Sequence, residues 1–436
     1  MPANRKLHLV AYLKAGPSFS YPSTWRHSQA TLDDLFTPER WEHIARVLEA
    51  AKFDAFFFAD GLGIPDLYKG RYDDYVGRGG QLSLIDPMVL VPQMARVTTR
   101  LGLGITLSTS FCPAYITARY LGSLDMISKG RVAWNVVTTG RDFEAQNFGH
   151  IGLPPKDQRY DMADEVLEAC DKLWFGWDDD ALVLDKESGR FADPEKIRYA
   201  HYQGRHVSVR GPLSIPRSPQ GRPVLMQAGS SPRGRAFAAR WAEMIFCSPA
   251  TKADAIAYRS DIRTRIETIG RNPDECAVLP SFTVVVGETE SIAKEKAAYL
   301  ESLVDPELVL ASSSWSVVAD LSKVEDEAAL NAGTSNQGVQ GHRDRMMQVA
   351  KEKGITFAEA VRRPRALLAG TPGQIADMFE DWFTSGAADG FILPPTVFPT
   401  TLEEFGRTVV PELQRRGLFR TEYRGQTLRE NLRDSG

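Results

Sequence analysis

Residues 227–234 read Gln-Ala-Gly-Ser-Ser-Pro-Arg-Gly, a strand end running through glycine and two hydroxyls into a helix that starts on proline. Such a junction is an anion site. The first N–H groups of the helix have no partner within it and carry the positive end of its dipole. Glycine lets the backbone come close, and Ser230 and Ser231 add hydroxyl donors. Ser231 alone would serve equally well as a helix cap. A second group of polar side chains stands on or just after other apolar runs: Asp60, Thr106, Ser108, Asn135 and Thr139. Asn135, inside the run Val-Ala-Trp-Asn-Val-Val, must be hydrogen-bonded if it is buried. Each has a plainer reading as well: Asp60 as a turn carboxylate, the threonines as ordinary strand residues, Asn135 as a partner for a neighbouring backbone group. If they converge, these residues line one mouth beside the anion site.

The elements that would position these residues are apolar runs alternating with amphipathic stretches, the pattern of parallel strands joined by crossover helices. Strands are expected at residues 7–13, 55–59, 101–108, 132–138, 224–228, 244–247, 278–286 and 390–393. Helices are expected from Thr37 and Pro38, from Asp86 and Pro87, and over 113–128, 160–175 and 401–417. Eight repeats predict an α/β fold, a (β/α)8 TIM barrel forming one domain over residues 1–436. Four stretches exceed ordinary loops: 61–84, 140–159, 177–222 and 305–365. Loops of that length are usually functional. The last, with 333–341 as its hinge, is expected to act as a lid. Phe19, Tyr21, Trp25, Phe111 and Tyr115 fall near strand ends, where they could face an apolar substrate or belong to the core.

Composition narrows the function further. The chain has 436 residues, 43% of them hydrophobic, and a net charge of -4 from 52 basic and 56 acidic side chains spread throughout. No basic stripe points to nucleic acid or a membrane surface. No window approaches the ~20 apolar residues of a membrane span, and no apolar leader follows Met1, which predicts a cytoplasmic protein. Cys112, Cys170, Cys247 and Cys276 form no CxxC pair and read as small core residues; the histidines have no metal-site spacing, so no metal is expected. No glycine fingerprint for a dinucleotide opens a helix after a strand.

Several blocks carry a resemblance that runs nearly end to end: residues 25–27, 53–61 (FDAFFFADG), 130–139 (GRVAWNVVTT), 159–165 (RYDMADE), 210–229 (RGPLSIPRSPQGRPVLMQAG) and 387–391. The sequence resembles the nitrilotriacetate monooxygenase component A, dibenzothiophene sulfone monooxygenase and pristinamycin synthase group of the bacterial luciferase-like superfamily. That resemblance implies a luciferase-like barrel that binds reduced FMN, with contacts at Asp60, Thr106, Asn135, Tyr160, Ser230 and Ser231. The Tyr160 hydroxyl would help hold the phosphate. The family commonly has histidine four residues before this tyrosine. Here Lys156 stands, able to meet phosphate as a point charge but not to accept a hydrogen bond. Residues 19–24 also depart from the family pattern, so substrate contacts there are not carried over, and no catalytic residue is assigned.

The resemblance further implies the oxygenase half of a two-component monooxygenase. A separate NAD(P)H-dependent flavin reductase would supply FMNH2, and O2 would oxidise a small organosulfur, aminopolycarboxylate or aromatic substrate through a flavin peroxide. A homodimer or homotetramer is expected. The alternatives are a deazaflavin-dependent oxidoreductase of the same fold and a flavin-binding protein without catalysis.

Overall fold

The computed structural model describes residues 5–323 and 340–434. Its centre is one parallel sheet of eight strands: β1 (His8–Leu13), β2 (Ala55–Phe58), β3 (Gly102–Ser108), β4 (Val132–Val137), β5 (Val224–Gln227), β6 (Met244–Cys247), β7 (Ala277–Pro280) and β8 (Gly390–Leu393). These strands are apolar on both faces, as a sheet covered on each side requires. Consecutive strands from β1 to β7 are neighbours, and β1 also pairs with β8. The last gap is bridged where Asp389 N donates to Val278 O at 2.9 Å and Phe282 N to Ile392 O at 3.0 Å. The sheet is therefore closed, and the expected (β/α)8 barrel is present.

Eight helices clothe the barrel: α1 (Pro38–Ala50), α2 (Pro87–Arg96), α3 (Ala114–Ile127), α4 (Lys156–Trp174), α5 (Pro232–Trp241), α6 (Lys252–Thr268), α7 (Pro372–Thr384) and α8 (Thr400–Arg415). Asp86 caps α2 by accepting from Met88 N. Thr37 sits at the N-cap of α1, but its hydroxyl donates to Asp34 O instead. Helix α4 begins a turn before the expected residue 160, because its polar opening Lys-Asp-Gln-Arg gives no apolar period. That extra turn carries Lys156 and Arg159 to the barrel mouth. The strand expected over 278–286 is two strands: β7 stays in the barrel, and Val284–Val286 leaves it to pair with Leu368–Gly370.

Inside the barrel, alternate residues meet on the axis. Val10, Phe57, Ala133, Met226 and Ile392 pack together, and Leu428 of the helix Leu428–Arg433 joins them from the end where the strands begin. Leu428 N bonds to Gly130 O, just before β4, so this short helix stoppers the barrel at the end opposite the mouth. On β3, Gly102 leaves room for Leu428 and Ala55, and Gly104 lets β2 approach at Phe57. A Cβ on Gly104 would lie 2.4 Å from Phe57 Cβ and 2.5 Å from Phe56 O. Gly104→Ala is expected to destabilise by about 3 kcal/mol, the upper part of the overpacking range. A urea melt checks this; an unchanged midpoint would show that the interior can yield.

Of the four long stretches, 177–222 leads from α4 to β5 and so lies on the side where strands begin. It forms two small antiparallel pairs, and none of its residues lines the cavity at the mouth. The other three each contribute to that mouth. The hinge expected at 333–341 lies largely outside the described residues. Among the described residues no helix is long and apolar enough to cross a membrane.

Candidate active site

A cavity of about 460 Å³ opens at the C-terminal ends of the strands, where α/β barrels carry their sites. One corner is built on the junction of β5 and α5. Ser231 is the N-cap of α5, and its Oγ accepts from Gly234 N at 3.2 Å, leaving the hydroxyl hydrogen free to donate outward. The N–H groups of Ser230, Ser231 and Arg233 make no hydrogen bond among the described residues. Close approach here depends on glycine. A Cβ on Gly229 would stand 2.9 Å from Gly234 Cα, and one on Gly234 would stand 2.8 Å from Tyr160 Oη.

Helix α4 brings the other half of this corner. Tyr160 is buried, and burial pushes its hydroxyl pKa up, so it keeps its proton and can donate. Gln227 holds the loop by accepting from Gly229 N at 2.5 Å and donating toward Tyr160 Oη at 3.5 Å. Lys156 lines the same cavity. Burial first, and the nearby Arg159 second, lower its pKa, and no carboxylate pairs with it among the described residues. Arg233, by contrast, is drawn away to Asp161 at 2.9 Å and Asp164 at 2.5 Å. The helix N-terminus, serine hydroxyls and tyrosine hydroxyl thus stand together, with Lys156 one turn from Tyr160 along α4 and bonded to no carboxylate among the described residues, a set of donors that suits an anion.

The floor is a chain of polar contacts. Asn135 Nδ2 donates to Thr106 Oγ1 at 2.8 Å, and the Thr106 hydroxyl donates to Phe58 O at 2.6 Å. Ser83 Oγ donates to an Asp60 carboxylate oxygen at 2.5 Å. Ser108 and Thr139 share a hydrogen bond of 2.6 Å. Six of the seven residues expected to form the site, Asp60, Thr106, Lys156, Tyr160, Ser230 and Ser231, line the one cavity. Asn135 does not; it reaches the cavity only through Thr106, the neighbour-binding role its burial demands.

Of the aromatic residues near strand ends, only Phe111 lines the cavity, stacked on Phe148 with centroids 4.3 Å apart. Phe19 is fully buried against Phe398, Tyr21 is fully buried, Tyr115 packs on the core, and Trp25 Nε1 donates to Arg78 O. Cys112 also lines the cavity rather than the core, whereas Cys170 and Cys276 are buried. Residues not anticipated include Gln227 and Arg159, both within blocks that were read for other residues. Arg141, Glu144 and Trp315 come from the long stretches, where no periodicity marks an inward side chain.

The closed barrel and a cofactor-sized mouth define an α/β-barrel enzyme. The model of the luciferase-like monooxygenase family matches residues 18–389. Dibenzothiophene-sulfone monooxygenase of Rhodococcus erythropolis (strain XP) is 42% identical over 99% of this chain and 97% of its own length. Nitrilotriacetate monooxygenase component A of Aminobacter aminovorans is 38% identical, with the same shares covered. The crystal structure of a riboflavin lyase holding a modified FMN and riboflavin superposes with a TM-score of 0.88 at 33% identity, over 98% of this chain and 96% of that one. The chain belongs to the luciferase-like monooxygenase family.

Proposed function

We propose that this protein is the oxygenase component of a two-component monooxygenase that takes reduced FMN from a separate NAD(P)H-dependent reductase and uses O2 to oxidise a small organic molecule in the cytoplasm. The observation that carries this reading is the anion corner. Ser230, Ser231, Tyr160 and Lys156 line one cavity of about 460 Å³ whose walls are largely apolar, a volume and donor set that suit a flavin mononucleotide. Ser230, Ser231 and the start of α5 would take the phosphate, with Lys156 adding a point charge and Tyr160 a hydroxyl donor. Thr106 and Asp60 would meet polar groups further in, and Asn135 would hold Thr106 in place. When bound, the reduced flavin supplies the electrons that activate oxygen; the protein's part is to orient the ring and keep water from it. The relative named as component A supports the division into two proteins.

The test combines FMN, NADH, a generic flavin reductase and this protein, with oxygen uptake and product followed over panels of organosulfur compounds, aminopolycarboxylates and aromatics. For one of these classes, oxygen consumed should match product formed. Oxygen uptake that ignores the protein at every concentration, with no product from any panel, would overturn the proposal. A deazaflavin enzyme would instead show hydride transfer without oxygen uptake, and a silent carrier would bind flavin without turnover.

A further inference from the structure

A second cavity of about 390 Å³ adjoins the first and shares Asp60, Arg141 and Trp315 with it. Its most unusual lining group is Lys14. Along β1, Val10 and Tyr12 point to the barrel interior, and Lys14 is the next inward position, immediately beyond the strand. It is 7% exposed, yet its ammonium makes no hydrogen bond or ion pair among the described residues. An ammonium shielded in this way without a partner either gives up its proton more readily or takes a counter-ion, and the cavity beside Lys14 leaves room for one.

The neighbouring carboxylates favour the charged form of Lys14 from a distance but do not bond it. Asp60, at the end of β2, already accepts from Ser83, and Glu144 accepts from Leu62 N and Arg141. Arg141 adds positive charge, its guanidinium carbon 3.9 Å from the centroid of the Trp315 ring. The Trp315 Nε1 is itself buried without an acceptor. Two cations, Lys14 and Arg141, thus stand beside two carboxylates that already hold other donors, while the Lys14 ammonium and the Trp315 indole N–H have no acceptor of their own among the described residues.

We propose that the second cavity is a substrate subsite for an organic oxyanion, a carboxylate or a sulfonate, bound by the Lys14 ammonium with help from the Trp315 indole N–H. The inference rests on the flavin occupying the first cavity, which leaves the second for the molecule to be oxidised. Burial lowers the Lys14 pKa to about 8, opposed by Asp60 and Glu144 and assisted by Arg141; Tyr12 and Tyr75 are the other titratable groups lining this cavity. The charged form that would hold an anion is present below that value and is lost above it.

The experiment is an anaerobic calorimetric titration of the protein, first with FMNH2 and then, on the loaded protein, with benzoate, benzenesulfonate and neutral benzamide. Wild type and Lys14→Met are compared, with Trp315→Phe as a second variant. The expected result is that Lys14→Met weakens at least one anion tenfold or more, while benzamide and FMNH2 each change less than twofold. Loss confined to benzoate identifies a carboxylate site, and loss confined to benzenesulfonate a sulfonate site. Wild-type affinity for the affected anion should fall between pH 7 and pH 9, and the profile of Lys14→Met should be flat. Trp315→Phe should weaken the same anion several-fold. The proposal is overturned if neither anion binds wild type, if Lys14→Met leaves both unchanged, or if benzamide weakens equally. A loss of FMNH2 affinity in Lys14→Met would assign the ammonium to the flavin and equally overturn it. Failure of wild type to bind FMNH2 in the first titration would mark the failure of the flavin reading instead.

Discussion

Ser231→Asp is expected to weaken FMNH2 binding by about 100-fold while leaving the fold intact. Aspartate caps helices as well as serine does, so the bond from Gly234 N to the side chain at position 231 survives the change. What changes is the charge. A carboxylate would stand at the helix start where a phosphate dianion is proposed to sit, and juxtaposed like charges cost several kcal/mol. Taking about 3 kcal/mol, the affinity loss is roughly two orders of magnitude. Anaerobic fluorescence titration measures it, with thermal unfolding as the control. An affinity within threefold of wild type would remove the phosphate from this corner. Ser231→Ala should cost far less affinity, because it deletes one donor without adding a charge.

The second large effect concerns stability. Asp389 stands just before β8 and ties four elements together. Its carboxylate receives Arg259 Nη2 of α6 at 2.7 Å and Val278 N of β7 at 2.8 Å, and its backbone oxygen accepts from His8 N of β1 at 3.0 Å. Both side chains are shielded, 7% exposed for Asp389 and 12% for Arg259. Asp389→Ala removes the carboxylate that Arg259 shares with the partly exposed Arg5 and leaves the buried Arg259 guanidinium without it, a loss of about 3–5 kcal/mol. Against a total stability of about 5–15 kcal/mol, that is a large fraction. Chemical denaturation should show a lowered midpoint, and Asp389→Asn, which can still accept from Val278 N, should lose less. A midpoint unmoved by Asp389→Ala would mean the barrel closes without this contact.

The barrel was legible because it is written in short-range pattern. Doubly buried strands appear as unbroken apolar runs such as Ala-Phe-Phe-Phe of β2, and the helices follow at their own period. The pattern failed where a long-range partner decides. Nothing in Val284–Val286 shows that it pairs with Leu368–Gly370 rather than continuing β7. The anion corner was legible because a single stretch holds most of its groups, whereas Lys156 reached it through a helical turn with no apolar period. Asn135 was legible as a buried amide, but its distance from the cavity depends on Thr106 standing in front of it. Lys14 escaped notice, although counting by twos from Val10 through Tyr12 places it inward. A charged residue at the end of an apolar run is ordinarily taken for the solvent-facing start of a loop.

The pairing of residues 8–11 with residues 390–393 has a consequence in time. Contacts between such distant parts of a chain form late and slowly, after the local units have settled. β1 can rest against β2 early in synthesis, but its other edge waits for β8. Until then the barrel has an open seam beside β1, and the pocket proposed to shelter reduced flavin lacks part of its wall. If the protein holds reduced flavin as proposed, that ability would arrive with the final pairing, and a half-made chain would offer the cofactor no harbour.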